Sequence, residues 1–288
     1  QAASPTTFGK EMAVFASRLG RAIGDLREAD DALQAKVAGA SGTYAAHELA
    51  LPDVDWPAFA TAFVTDLGFD HVDPVTQVNP GDDLARVFHA LERINGVLLD
   101  AARDAWQYTS DGYLRPTAVE GVGSSTMPQK VNPIDFENAE GNLEKATSDL
   151  AFLARSVQTS RLQRDLSDST VKRGIGTAFA HCLLAYTRLR DGFASVTPDA
   201  AAMAADLEAH PEVLAEAIQT VARREGIGDA YERVADATQG KALDRDALGA
   251  LIEDLDLPAS VRDRLLALEP ADYLGVAPAL ADLADEDE

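Results

Sequence analysis

The chain has 288 residues, with 25 Lys plus Arg against 48 Asp plus Glu, a formal net charge of −23, and 46% hydrophobic residues of which few are aromatic. That apolar content over that length supports a sizeable core in one or two domains and argues against a disordered chain. Scattered Gly and Pro and the single Cys182 exclude collagen-like, mucin-like and disulfide-framework architectures, no apolar run approaches the roughly 20 residues of a membrane span, and the negative field repels nucleic-acid phosphate.

Thr6 or Thr7 after Pro5 can begin a helix. Phe8, Met12, Phe15, Leu19, Ile23, Leu26 and Leu33 follow mostly at steps of three and four, a narrow apolar stripe that suits a helix bundle. This helix is expected to end near Gly39, where Ala38-Gly39-Ala40-Ser41-Gly42 breaks it. Residues 51–80 hold four prolines and read as loop with one short helix near 56–67. A second long helix is expected over 82–106, with Leu84, Val87, Phe88, Leu91, Ile94 and Leu98 as its apolar positions. A third is expected over 134–157 and a fourth over 169–189, and strand alternation is nearly absent.

Ser195-Val196-Thr197-Pro198 reads as a joint. Shorter helices are expected beyond it, over about 199–209, 212–224, 229–237, 244–255 and 260–268, several with Asp, Ser or Pro at the start. The acidic end, 282–288, reads as solvated. The fold class is therefore all-α. A long-helix bundle domain over 1–193 precedes a small all-helical domain over 194–288, with no internal repeat.

The acidity has a texture. Asp outnumbers Glu 31 to 17, and Lys10, Lys36, Lys130, Lys145, Lys172 and Lys241 are the only lysines. Short, strongly hydrated carboxylates with few lysines resemble the surfaces of proteins from salt-loving organisms, and imply stability that rises with salt. The chain opens on Gln1 rather than Met, and residues 1–5 carry no basic n-region or apolar h-region. No signal peptide is visible and a cytoplasmic location is expected; the start reads as processed or as part of a longer chain.

The segment richest in chemistry is Gly123-Ser124-Ser125-Thr126-Met127-Pro128-Gln129-Lys130-Val131-Asn132-Pro133. Gly121 and Gly123 permit unusual backbone angles, and Pro128 and Pro133 bar helix across most of it. The loop offers two hydroxyls, an ammonium and an amide, which are donors for a carboxylate or phosphate. The Gly-x-x-x-x-Gly-Lys spacing of a Walker loop is missing. On composition alone a plain surface loop whose Ser residues cap turns is the better reading. A second donor cluster is Arg164 with Ser169, Thr170 and Arg173. Ser169 and Arg173 stand four apart, on one face near a helix start, where a hydroxyl, free N–H groups and guanidinium forks suit a phosphate. Read plainly, Arg164 is paired with Asp165 or Asp168.

The string Gly-Ser-Ser-x-Met-Pro-x-Lys-x-Asn-Pro resembles the signature of the fumarase/aspartase superfamily, whose members release fumarate by elimination. Within it the chain resembles the bacterial-type branch of the adenylosuccinate lyase family. That resemblance runs through Pro5-Thr6-Thr7-Phe8-Gly9-Lys10-Glu11-Met12, Val54-Asp55-Trp56, Thr76-Gln77, the segment from Ile134 to Asn142, the segment from Gln163 to Arg173, and Glu212-Val213-Leu214-Ala215-Glu216. Gln129 departs from the pattern: adenylosuccinate lyases usually show His there and argininosuccinate lyases often show Gln.

The resemblance implies roles. Ser124 is the general base, and Ser125 lies beside the carboxylate-binding residues of the substrate site. Lys130 and Asn132 bind the succinyl carboxylates, and Glu137 orients a catalytic imidazole. Glu137 is also the kind of first-turn acid that a helix dipole favours. Gln77 and Asn138 hydrogen-bond the substrate. Arg164, Ser169, Thr170 and Arg173 hold its nucleotide part. His47, His71, His89, His181 and His210 match none of the catalytic positions and read mostly as helix-surface or packing residues. The acid histidine of the family lies just upstream of the segment matching residues 1–5, so the chain alone is expected to be inactive.

The resemblance also implies a succinyl-nucleotide as small-molecule substrate and a homotetramer with active sites shared between subunits. No nucleic acid, membrane, metal or cofactor is expected, since no Cys/His or carboxylate cluster has metal-ligand spacing. Cys182 reads as a buried small residue. Argininosuccinate lyase, another fumarate-releasing lyase, or a non-catalytic structural member of the superfamily stand as alternatives.

Overall fold

Helices supply nearly all the regular structure among the residues that the computed structural model describes, 2–117, 126–127, 130–240 and 244–283. In chain order they are α1 (Phe8–Asp31), α2 (Ala45–Ala50), α3 (Trp56–Asp66), α4 (Asp82–Ser110), α5 (Ile134–Val157), α6 (Asp168–Val171), α7 (Ile175–Ala194), α8 (Ala200–Ala209), α9 (Ala215–Arg224), α10 (Ala230–Thr238), α11 (Arg245–Asp254), α12 (Ala259–Leu266) and α13 (Ala277–Asp282). Strands are confined to two- and three-residue pieces, among them β1 (Gln34–Ala35) and β2 (Asp70–His71), which pair in parallel.

The chain divides into two compact units, Ser17–Ser110 with Pro116–Thr197, and Gln1–Ala16 with Asp111–Arg115 and Pro198–Glu288. In the first unit α5 packs along both α4 and α7. Its buried positions, Phe136, Ala139, Leu143, Ala146, Leu150, Leu153, Ala154 and Val157, step by three and four and form one stripe. Each Leu or Phe so buried contributes on the order of 2 kcal/mol. The α4 face turned inward is rich in alanine (Ala85, Ala101, Ala102, Ala105), with Phe88 and Ile94 as its large members. Of the other expected core positions on α4, Leu84 and Leu91 are half-buried and pack at the edge of the cluster formed by Ala85, Phe88, Leu150, Leu153 and Ala178. Small residues win the inward face because they let the helices approach closely.

Asn95 is fully buried in this bundle. Its Nδ2 lies 3.3 Å from Thr147 Oγ1 and 3.4 Å from Cys182 Sγ, and its Oδ1 accepts from the Tyr186 hydroxyl at 2.7 Å. The polar group is thus satisfied by α5 and α7 together, as a buried amide must be. Burial pushes the Tyr186 hydroxyl pKa well up.

In the second unit α9–α12 enclose a core of Val213, Leu214, Ile218, Ala222, Val234, Leu248, Ile252 and Leu265. Asp199 and Asp244 cap α8 and α11, accepting from the N–H groups of Ala202 (3.1 Å) and Ala247 (2.8 Å). Ser4 (3.1 Å) and Tyr273 (2.8 Å) both donate to Glu216 Oε2, which ties the residues before α1 to α9.

Three element expectations are corrected. The first helix stops at Asp31, well before Gly39. Asp30 and Asp31 oppose the dipole at a helix C-terminus, and the strand pairing of Gln34, whose N–H donates to Asp83 Oδ2 at 2.9 Å, takes the chain away. The second long helix continues to Ser110. The fourth is divided, α6 leading into a 3₁₀ turn at Lys172–Gly174 before α7. Among the described residues no helix is long and apolar enough to cross a membrane.

Candidate active site

Of the Ser- and Pro-rich segment, residues 126–127 and 130–133 are described, and Pro133 leads directly into α5. Ser124 and Ser125 lie outside the described residues. Lys130 is exposed and its N–H donates to Met127 O at 3.0 Å. Asn132 is half-buried and lines a 40 Å³ cavity with Thr117, Phe136, Gly192 and Ser195. Thr117 donates both its N–H and its hydroxyl to Ser195 O, each at 2.7 Å. Phe136 is seated on Gly192, where a Cβ would come within 3.0 Å of the ring, and stacks edge-on to Phe193. The last turn of α7 therefore fixes what comes before and after the loop.

Glu137 is exposed in the first turn of α5, the place a helix dipole favours for an acid. Its Oε1 accepts from Trp106 Nε1 of α4 at 3.1 Å. No histidine contacts it among the described residues. One residue on, Asn138 accepts from Asn142 Nδ2 through its backbone O (2.8 Å) and its Oδ1 (3.1 Å). Asn142 Oδ1 in turn lies 2.8 Å from Nδ1 of His181 on α7. Sequence reasoning gives Trp106, Asn142 and His181 no role in the site. Asn142 falls inside the segment that carries the family resemblance, which is the signal available for it; His181 and Trp106 meet their partners only through packing of separate helices.

The second donor group lies at the other end of the same bundle. Gln77 is half-buried, four residues ahead of Gly81, whose N–H donates to Val157 O at 3.1 Å. Arg164 and Arg173 are exposed. The pairing of Arg164 with a neighbouring Asp is not made: Asp165 binds Arg161 at 3.2 Å and Asp168 binds Lys172 at 3.3 Å. The Ser167 N–H, donating to Asp165 Oδ1 at 3.0 Å, together with the Ser167 hydroxyl and Arg161, holds the Asp165 carboxyl below the usual carboxylate range. This turn also corrects the expectation of free N–H groups. The amides of Ser169 and Thr170 donate back to Leu166 O and Ser167 O, and the Ser169 hydroxyl to Leu166 O at 3.0 Å. Side chains, rather than a helix start, are the donors left here.

Two groups thus stand apart. Lys130, Asn132, Glu137 and Asn138 sit where α5 begins. Gln77, Arg164, Ser169, Thr170 and Arg173 sit around its end, where Val171 and Ile175 pack against the cluster containing Ala154 and Val157. Asn138 and Val157 are separated by about 28 Å of helix. No small ligand touches both groups of one chain. Among the described residues Lys130, Arg164 and Arg173 have no carboxylate within ion-pair reach, although most other cations of this acidic chain do. Each end thus holds exposed positive charge, a property that Arg21, Arg86 and Arg223 share elsewhere in the chain. No group of three metal-ligating side chains occurs among the described residues.

Residues 1–147 match the family model described as lyase, and residues 160–274 the model described as adenylosuccinate lyase C-terminal. The adenylosuccinate lyase of Vibrio cholerae serotype O1 is 44% identical over 284 residues, covering 98% of this chain and 62% of the relative. That of Legionella pneumophila strain Corby is 45% identical over 278 residues, covering 96% and 60%. The chain thus spans about three fifths of the length of these relatives. Among solved structures, the 3-carboxy-cis,cis-muconate lactonizing enzyme of Pseudomonas putida superposes with a TM-score of 0.74 at 26% identity, covering 100% of this chain and 64% of that one.

Proposed function

The chain belongs to the lyase family of the fumarase/aspartase type, and on that premise we propose that the whole protein is an adenylosuccinate lyase. It eliminates fumarate from adenylosuccinate to give AMP, and from the succinyl-aminoimidazole-carboxamide ribotide, in the cytoplasm. The observation that carries this reading is the 44% identity to the Vibrio cholerae adenylosuccinate lyase over 98% of this chain, and the exposed cations Lys130, Arg164 and Arg173, without carboxylate partners among the described residues, agree with it. Such cations are suited to a substrate with two carboxylates at one end and a phosphate at the other.

The chemistry sets the roles. Removing a proton from the carbon beside a carboxylate builds negative charge, so a base must stand over that carbon and fixed donors must hold the charge. Ser124 is the base. Its hydroxyl is a weak acid and serves only beside a cation in a dry site, which Lys130 supplies. Lys130, Asn132 and Ser125 bind the carboxylates, and Gln77 and Asn138 hydrogen-bond the substrate. The C–N bond then breaks, its electron pair goes to the leaving amino group, and an acid protonates that nitrogen. Glu137 orients that acid. Arg164, Ser169, Thr170 and Arg173 hold the phosphate.

The separation of the two groups supports a further step. Each complete site takes the start of α5 from one subunit and the end of α5 from another, within a homotetramer. Exposed Phe152, Phe179, Leu183 and Leu184 give α5 and α7 an apolar face for such partners. The test is turnover by the whole protein of adenylosuccinate, read by the absorbance change on AMP formation, with argininosuccinate as control. Activity confined to argininosuccinate would overturn the substrate, and inactivity on every succinyl adduct would favour a non-catalytic role.

A further inference from the structure

The amide of Asn138 has one end already engaged. Asn142, one turn along α5, gives its Nδ2 to Asn138 O and Asn138 Oδ1. Asn142 Oδ1 is then an acceptor, and the group facing it at 2.8 Å is His181 Nδ1, which must carry the proton. The chain of donors runs one way: His181 to Asn142 to Asn138. Asn138 Nδ2, which has no partner among the described residues, is the end left facing outward from an exposed residue.

We propose that His181 is a positioning residue for substrate binding: through Asn142 it fixes the Asn138 amide so that Nδ2, not Oδ1, meets an anionic oxygen of the ligand. This rests on the reading that Asn138 contacts the succinyl-nucleotide. A free asparagine amide can turn over, and turned over it would set a carbonyl oxygen against a carboxylate in a chain already strongly negative. With His181 in place, the flipped amide would put two N–H groups against each other, and the unsatisfied donors disfavour it. His181 itself touches no substrate.

The test is steady-state kinetics on the whole protein. His181→Leu is expected to raise KM for adenylosuccinate about tenfold while kcat and Tm stay close to the parent. His181→Asn, which can place an N–H where Nδ1 stands, restores KM. His181→Gln, which reaches only the Nε2 position, does not. In an Asn138→Ala background His181→Leu has no further effect, because the relay has nothing left to hold. An unchanged KM in His181→Leu, or an equal rise with and without Asn138, overturns the inference while leaving the substrate reading intact. If Asn138→Ala itself leaves KM unchanged, the contact assigned to Asn138 fails and the inference falls with it. Should His181→Leu not fold, Asn142→Ala breaks the same relay and carries the same expectations.

Discussion

Trp106 of α4 donates its indole N–H to Glu137 Oε1 in the first turn of α5, at 3.1 Å. The bond holds one carboxylate oxygen and leaves the other open, so charge and orientation can be separated. Glu137→Gln keeps the size and can still accept from Trp106, but removes the charge. It is expected to lower kcat by about a hundredfold with little change in Tm. Trp106→Phe keeps the charge and removes the donor. It is expected to lower kcat less than about tenfold and to cost roughly 1 kcal/mol of stability. Thermal unfolding and kcat on the same preparations decide; full activity in Glu137→Gln removes Glu137 from the machinery.

A complementation experiment tests the shared site. Lys130→Ala disables the group where α5 begins, and Arg173→Ala the group where it finishes. Each variant alone is expected to be inactive. Unfolded together and refolded as a mixture, they should regain activity, because some hybrid sites draw both ends from unaltered subunits. If one chain supplied a whole site, every site in the mixture would carry a lesion and no activity would return.

The long helices are legible in the sequence because apolar residues at steps of three and four continue for several turns, as in α4 and α5. The end of α1 is not, since it is set by the distant pairing of Gln34 with Asp70. The donor residues are legible as types: Lys130 and Arg164 stand out where lysines are few and acids abundant. Their grouping is not. Asn138 and Arg164 lie only 26 positions apart in the sequence, yet an intervening helix carries them to opposite ends of a bundle. His181 reads as packing because its partner, Asn142, comes from a different helix. Spacing along one helix cannot report that contact.

Alkaline pH should weaken the fold through two tyrosines. Burial first, then the bond to Asp73 Oδ2 at 2.8 Å and the Asp73 charge, push the Tyr44 hydroxyl from 10.0 up to about 12. The bond to Asp206, then burial, does the same for Tyr113. A tyrosine with a raised folded pKa keeps its proton longer in the native state. Its stabilising contribution is therefore complete below pH 10 and is lost as pH rises through 12. Denaturant midpoints from about pH 9 to 12 are expected to fall over that window. Tyr44→Phe should flatten the fall, while losing roughly 1 kcal/mol at neutral pH. A variant that falls as steeply as the parent would refute the assignment.

Gly81 joins the Gln77 segment to the end of α5. A Cβ placed there would lie 2.8 Å from Val157 Cβ and 3.0 Å from Val157 O, so backbone as well as side chain blocks it. Gly81→Ala is expected to destabilise by about 1–3 kcal/mol. Val157→Ala clears Cγ2, the atom 3.0 Å away, but keeps both Val157 Cβ, 2.8 Å away, and the carbonyl, so only part of the crowding is relieved. The double variant should recover part of the loss, giving a coupling above roughly 0.5 kcal/mol in a double-mutant cycle. Strict additivity would show that the two residues do not press on one another.

Salt should stabilise this protein, and two opposing effects decide the sign. Raising KCl from about 0.1 M to 1 M shortens the screening length from about 10 Å to 3 Å. Surface pairs such as Arg103 with Glu140 (2.8 Å) and Glu144 (2.7 Å) then weaken, but each is worth only about 0–1 kcal/mol. Against them stands the repulsion among 48 acids opposed by 25 bases, spread over the whole surface and relieved by the same screening. Repulsion wins because it scales with an excess of 23 charges acting across the whole surface, while each pair is local and individually weak. Tm measured by calorimetry is therefore expected to climb steadily across that range. A flat or falling Tm would mean that the ion pairs, not the net charge, govern the electrostatics of the fold.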